Sequence, residues 1–171
     1  MIRLVSGIFF RFVFLILFQV LILNNIELGG YLNPFLYVLF LLMLPFEMAD
    51  WIVLLLGFLL GLALDMFMDT LGMHTTACVF MAFMRKNVLR IMSPREGYEG
   101  GKSPNFRDMG IAWFFIYASL LVFLHHLVLF FAESFRLSDF FPTLLKIFLS
   151  STFTLISIFI TQLLFVTPKE R

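Results

Sequence analysis

Long hydrophobic runs broken by short polar intervals dominate the pattern along this chain. Six apolar segments can be drawn, at residues 8–26, 32–46, 51–68, 71–84, 110–132 and 143–166. A helix that crosses a bilayer needs about 17 to 25 such residues. The first, third, fifth and sixth segments reach that length, whereas the second and fourth are short enough to be re-entrant or interfacial. The pattern predicts an all-α integral membrane protein with a single membrane domain over residues 1–171.

The positions of lysine and arginine favour counting both short segments as spans. With six spans and a cytoplasmic N-terminus, ten of the 12 basic residues fall inside, and only Arg136 and Lys146 fall outside. Basic residues concentrate in cytoplasmic loops of membrane proteins. Dropping one short segment would invert everything that follows it and place most basic residues outside. We therefore predict a six-transmembrane-helix bundle with both termini in the cytoplasm.

Composition agrees with this class and removes several others. The chain is 61% hydrophobic and only 13% charged, and its mean hydropathy is +1.01. No interval between the apolar segments is long enough for a soluble domain. Cys78 is the only cysteine, which excludes an internal disulfide, and no cluster with metal-ligand spacing is visible. We predict no metal and no cofactor.

One interval, residues 85–108, is long enough to be a substantial loop. It is rich in glycine, proline and charge, which predicts a flexible, solvated cytoplasmic loop. Its basic beginning, Arg85, Lys86 and Arg90, is expected to meet anionic lipid headgroups. Acidic residues dilute the basic ones further along, so the loop does not predict nucleic-acid binding. A role for its central part, residues 93–105, does not follow from the pattern.

The third apolar segment carries two glycines and two acids at four-residue spacing: Gly57, Gly61, Asp65 and Asp69. This spacing places them on one slowly drifting face of a helix. Small residues let another helix approach closely, and an acid in an apolar helix needs a partner. The face is therefore an assembly surface, either with another helix of this chain or with a helix of a partner protein.

A catalytic interpretation of the same acids is available. Their spacing matches the second half of the signature of CDP-alcohol phosphatidyltransferases, but the first half is missing, and the predicted topology puts both acids on the outer side. More often, such acids fix a helix end, bond a neighbouring span or cap the next helix. His74 is near enough in sequence to approach Asp65 or Asp69 across the turn. Two acids and one histidine do not by themselves define a metal site.

Other polar residues in apolar segments have similar structural explanations. His125 and His126 are adjacent, so they point to different faces of a helix, and we expect that they cannot both line one inward seam. Hydrogen bonding between helices is a more common role for them than proton relay. No nucleophile motif or zinc-protease motif appears. The sequence predicts no catalytic residue and no enzyme.

A stretch of the chain resembles the rod shape-determining protein MreD family. The resemblance covers roughly residues 30–85 and rests on three motifs: Asn33-Pro34 opening the second segment, a Gly-Phe-x-x-Gly-x-x-x-Asp run at 57–65, and Leu71-Gly72 before the fourth segment. Outside this stretch, length, hydropathy and short loops agree. Asp69 lies outside the motif, and the loop at 93–105 is longer than in many members.

The resemblance implies a non-enzymatic scaffold in the bacterial cytoplasmic (inner) membrane. Members of the family act in lateral peptidoglycan synthesis with MreC and, through it, with MreB. RodA and a class B transpeptidase belong to the same assembly. The implied fold is similar to the substrate-binding membrane components of energy-coupling-factor transporters. The positions that match the motifs, expected to shape the bundle or a partner interface, are Asn33, Pro34, Gly57, Gly61, Asp65 and Gly72.

The shared fold leaves one functional alternative, a substrate-binding subunit of an energy-coupling-factor vitamin transporter. Those subunits dock on their energising partner through an Ala-x-x-x-Ala motif in the first span. Residues 8–26 contain no alanine. A binding cavity would also need several convergent polar groups, and few are visible in the sequence. The scaffold is the leading interpretation.

Overall fold

The computed structural model describes residues 2–25, 34–100, 102–134 and 140–165. Within these ranges the regular structure is entirely helical, which confirms the all-α prediction. The elements in chain order are α1 (Ile2–Leu21) with a short 3₁₀ turn (Leu23–Asn25), α2 (Val38–Leu42), α3 (Asp50–Met68), α4 (Met73–Ile91), α5 (Phe106–Met109), α6 (Ile111–Ser134) and α7 (Phe140–Phe165).

Four stretches of the described residues are long and apolar enough to cross a membrane. They are Ser6–Asn25, Asp50–Met68, Ile111–Ser134 and Phe140–Phe165. They coincide with the four longer predicted segments and support the prediction of a membrane protein. Many of their large apolar side chains are exposed, among them Phe10, Met66 and Leu163. Such surfaces suit lipid, because a bilayer is as apolar as the side chains that face it.

The second predicted segment, 32–46, differs from a simple spanning helix. Residues 32 and 33 lie outside the described residues, and from Pro34 onward the only α-helix is the five-residue α2. Prolines bracket the segment, and the residue before a proline disfavours helical geometry, so Pro45 helps to end the helix at Leu42. Every residue from 34 to 42 is buried. This segment is a core strut enclosed by the longer helices.

The fourth helix is longer than predicted, and the loop after it is correspondingly shorter. Helix α4 continues to Ile91, so the predicted loop 85–108 was wrong over residues 85–91. The helix does not stop at its first basic residue because Arg85 finds acceptors inside the protein and is only 3% exposed. Arg85 is therefore a buried residue of a helix and not part of a flexible, solvated loop as predicted.

The remaining loop is anchored near its middle. The ring of Tyr98 stacks on Phe46 with centroids 4.2 Å apart, and its hydroxyl donates to the carbonyl of Leu89 at 2.8 Å. Partial burial raises the pKa of Tyr98 to about 12. Residues 93–97 are exposed on one side of this anchor. Further on, Asn105 caps α5 by accepting a hydrogen bond from the amide of Asp108 at 2.9 Å.

The core is arranged around α6. Helices α3 and α4 pack side by side, α4 packs on α6, and α6 packs on α7. The strut formed by residues 34–44 contacts α1, α3 and α6. Helix α1 is peripheral, with 17% of its apolar window buried against 50% for α6. The central position of α6 decides where its polar residues point.

Candidate functional site

The glycine face of α3 packs directly on α4. A Cβ atom added to Gly61 would lie 2.6 Å from the amide nitrogen of Thr75 and 2.7 Å from the carbonyl oxygen of His74. One added to Gly57 would lie 3.0 Å from the Cβ of Ala82 and 3.1 Å from the carbonyl oxygen of Cys78. The backbones of α3 and α4 can be this close only because both positions lack a side chain. This assembly surface joins two helices of the same chain.

One turn beyond Gly61, the carboxylate of Asp65 bonds the beginning of α4. Its Oδ1 accepts from the amide of His74 at 3.0 Å and from the hydroxyl of Thr70 at 2.5 Å. Its Oδ2 accepts from the amide of Thr75 at 2.9 Å and from the hydroxyl of Thr75 at 2.5 Å. The Nδ1 atom of His74 lies 3.2 Å from Oδ1. We call this arrangement the Asp65 node.

The Asp65 node works as a helix cap supplied by another helix. The first amides of an α-helix have no partner within the helix, and a carboxylate there also meets the positive end of the helix dipole. The residue at the usual capping position of α4, Gly72, has φ of +80° and no side chain to do this. Asp65, which lies on α3 and is 6% exposed, caps α4 instead. It thereby fixes the turn between the two helices.

Asp69 does not share in this node. It ends α3 with φ of +53° and is exposed to solvent. No group of three or more His, Cys, Asp or Glu residues that could hold a metal ion occurs among the described residues. The two acids of the motif have separate roles, one as a buried cap and the other as a helix terminus. Nothing in their arrangement resembles paired catalytic carboxylates.

His74 connects the Asp65 node to a cavity. With Nδ1 directed to the node, its Nε2 atom is buried and has no hydrogen-bond partner among the described residues. The Oε1 atom of Gln19 is likewise buried and has no hydrogen-bond partner among the described residues. Both residues line a cavity of about 500 Å³, together with Asn24 and Glu133. Two residues with a buried polar atom that lacks a partner among the described residues therefore line this cavity.

The two adjacent histidines of α6 are both fully buried, so the expectation that they cannot both line an inward seam was wrong. His125 Nε2 lies 3.1 Å from the hydroxyl of Tyr37, and His126 Nε2 lies 3.2 Å from the hydroxyl of Thr154. The ring of Phe35 contacts both histidines. Because α6 has neighbours on opposite sides, different faces of this helix both point inward. The strut fills the seam between them.

A second buried charge lies toward the other end of α4. The guanidinium of Arg85 donates from Nε to the hydroxyl of Tyr117 at 3.0 Å, and from Nη2 to the carbonyl of Leu44. Tyr117 in turn donates to the carbonyl of Leu42 at 3.1 Å. Arg11 reaches the carbonyl of Met43 at 3.4 Å. Side chains from three helices thus bond the carbonyls at the end of α2, and we call this arrangement the Arg85 node.

The structure places the predicted site residues in two groups. Gly57, Gly61 and Asp65 face α4 along α3, and Gly72 lies in the turn just before α4 begins. Pro34 begins the described part of the strut, where its carbonyl accepts from Gln19 Nε2 at 3.0 Å. Asn33 lies outside the described residues.

Sequence reasoning missed the Arg85 node. The only signal for it was an arginine that directly follows an apolar run, and the neighbouring Lys86 and Arg90 made the three residues look like a surface cluster. Nothing local indicated that Leu44, 41 residues earlier, would supply its acceptor. A contact of that range is set by the tertiary fold.

These features define the class of protein: an all-helical membrane protein whose interior polar groups bond helix ends and neighbouring helices. Comparisons with models of protein families, with curated proteins and with solved structures find no match to this chain.

Proposed function

We propose that this chain is a non-enzymatic membrane scaffold of the bacterial rod complex, of the MreD type, that binds MreC and supports lateral peptidoglycan synthesis. The observation that carries the proposal is the shared use of the motif residues. The glycines and the acid of the run at 57–65 and the glycine of Leu71-Gly72 all serve one junction between α3 and α4. A family motif that builds a junction is what a scaffold needs.

The contacts of Asp65 support a structural role over a catalytic one. Donors from Thr70, His74 and Thr75 occupy both carboxylate oxygens. A carboxylate that binds metal or activates a hydroxyl needs a free oxygen directed at an open site. Asp69 is exposed and lies outside the node, so the two acids of this half-signature of a lipid transferase do not converge on one site.

The proposal includes six membrane segments with both termini in the cytoplasm of a bacterial cell. The strut supports it because it runs beside α4 in the same direction. Near its beginning, the ring of Phe35 lies 5.9 Å from that of His74, at the start of α4. At its end, Leu44 bonds Arg85, near the other end of α4. The strut and α4 thus cover a common depth and join the four apolar helices as the remaining two segments.

The partner of this scaffold is the single-span protein MreC, which connects it to MreB. RodA and a class B transpeptidase join through the same assembly. Large exposed apolar side chains on the spanning helices, such as Phe14 and Phe115, suit contact with a partner's transmembrane helix as well as with lipid.

Affinity purification tests the proposal. The tagged protein is purified from its native membrane in mild detergent, and bound proteins are identified by mass spectrometry. A tagged multi-span membrane protein of similar length, expressed to the same level, is the control. Specific recovery of MreC with wall-synthesis proteins is the expected result. Depletion should turn rod-shaped cells round. Absence of MreC from the purified material, together with unchanged cell shape, would overturn the proposal.

One observation favours a second candidate, the substrate-binding subunit of a vitamin transporter. The cavity of about 500 Å³ beside Gln19 and His74 is large enough for a small molecule. The same purification separates the two candidates, because the transporter subunit would bring down ATP-binding proteins. Isothermal titration with vitamins adds a direct test, and absence of binding removes this candidate.

A further inference from the structure

A second cavity, of about 390 Å³, lies between the beginning of α3 and the later part of α4. Its charged lining consists of Asp50, Arg85, Lys86 and Arg90. Lys86 forms an ion pair with Asp50, which leaves the positive charges of Arg85 and Arg90. The cavity therefore has an excess of positive charge at its polar side.

Part of this excess positive charge is buried, because it belongs to Arg85. Its side chain is buried, and among the described residues no carboxylate forms an ion pair with it. The carbonyls of Leu44 and Pro45 and the hydroxyl of Tyr117 accept its hydrogen bonds. These acceptors satisfy donors but do not neutralise the charge. A buried charge without a counter-ion is costly, so an anion beside it is strongly favoured.

The rest of the lining is apolar. Side chains of Phe46, Val53, Leu54, Phe83 and Leu89 form most of the other walls. Arg90 is exposed at the rim, where a headgroup in the membrane interface can reach it. Guanidinium groups match the geometry of phosphate oxygens, which they bond in pairs. A ligand with a phosphate at one end and hydrocarbon at the other matches both kinds of wall.

We propose that this cavity binds the phosphate of an anionic membrane lipid, with Arg85 and Arg90 as the phosphate-binding residues and the apolar walls against the acyl chains. The lipid supplies a counter-ion that Arg85 lacks among the described residues, and it joins the beginning of α3 to α4. This inference does not depend on the proposed function, because it follows from the charge and burial of the cavity alone.

Lipid-dependent thermal stability tests the site. The purified full-length protein in neutral detergent is titrated with dioleoyl phosphatidylglycerol, dioleoyl phosphatidylcholine or inorganic phosphate, and Tm is followed by intrinsic fluorescence. Phosphatidylglycerol should raise Tm in a saturable way, while phosphatidylcholine, with the same chains, should not. An equal rise with inorganic phosphate would indicate a site for free phosphate and overturn the assignment to lipid.

Paired variants separate the cavity from general surface charge. Arg90→Gln should weaken the apparent affinity for phosphatidylglycerol about tenfold, as expected for loss of one charge-assisted hydrogen bond. Arg107→Gln, which removes an exposed charge that does not line the cavity, should leave it unchanged. Arg90 is exposed, so its replacement is not expected to disturb folding. Equal weakening by both variants, or by neither, would overturn the proposal.

Discussion

The Asp65 node and the Arg85 node both stabilise a buried charged side chain, one at the beginning of α4 and the other toward its end. Each buries one charge in an apolar protein and bonds it to backbone groups at a helix end. Asp65 accepts from the amides that open α4, and Arg85 donates to carbonyls that follow α2. The signs match the electrostatics of helix ends, where amides attract anions and carbonyls attract cations.

The two nodes differ in how far apart their members lie along the chain. The partners of Asp65 are 5 to 10 residues away, whereas those of Arg85 are 32 to 41 residues away. The first node can therefore form as soon as α3 and α4 meet. The second needs α2, α4 and α6 to be in place together. The comparison predicts a locally stable hairpin at one end and a cooperative junction at the other.

The largest effect is expected at Gly61, which brings the Asp65 node within reach of α4. Gly61→Leu should destabilise the protein by about 3 kcal/mol or more, because the new side chain would collide with the backbone of His74 and Thr75. Thermal unfolding in detergent measures this. Gly7→Leu on α1 is the matched control, since nothing lies within 4 Å of a Cβ there. Similar losses in both variants would contradict the close contact.

Asp65→Asn should have the next largest effect and lower the free energy of unfolding by about 2 to 3 kcal/mol. The amide group of asparagine cannot accept hydrogen bonds from all the donors that surround the carboxylate. Asp69→Asn is the control and should stay within about 0.5 kcal/mol, as an exposed residue outside the node. Both are measured by thermal unfolding. If the order were reversed, the assignment of the cap to Asp65 would be wrong.

Arg85→Gln should lower the free energy of unfolding by about 2 kcal/mol, because it removes the charged hydrogen bonds to Leu44 and Tyr117. Hydrogen exchange then sharpens the comparison. The amides of His74 and Thr75 should stay protected in Arg85→Gln and lose protection in Asp65→Asn, because only the second variant breaks the local node. Loss of protection at these amides in both variants would show that the nodes are one cooperative unit.

The smallest effect is expected at Tyr98, beside the Arg85 node. Tyr98→Phe removes the hydrogen bond to the carbonyl of Leu89 and should lower the free energy of unfolding by about 1 kcal/mol. In the folded protein the pKa of Tyr98 is raised to about 12 from its usual value near 10. Its contribution is therefore complete below about pH 10 and is lost as the pH rises toward 12. Wild type should lose more stability than Tyr98→Phe over this window, and parallel curves would contradict the anchor.

The same difference in range explains what the sequence could predict. Four spanning helices follow from run length, and the capping role of an acid at the end of α3 and its approach to His74 follow from short spacing. The Arg85 node and the helix beyond residue 84 were missed because their acceptors come from a distant segment. The seam of His125 and His126 was misjudged because a helix in the middle of a bundle has no single inward face.

The enclosure of the strut also has a consequence for the order of events during synthesis. The amide of Phe35 donates to the hydroxyl of Thr154 at 3.0 Å, and 119 residues separate them. At translation rates of about 5 to 20 residues per second, the early segment waits roughly 6 to 24 s for that partner. Until α7 leaves the ribosome, the strut must be sheltered by the insertion machinery or by lipid. Helix α7, which is made long after the strut, therefore completes the core around it.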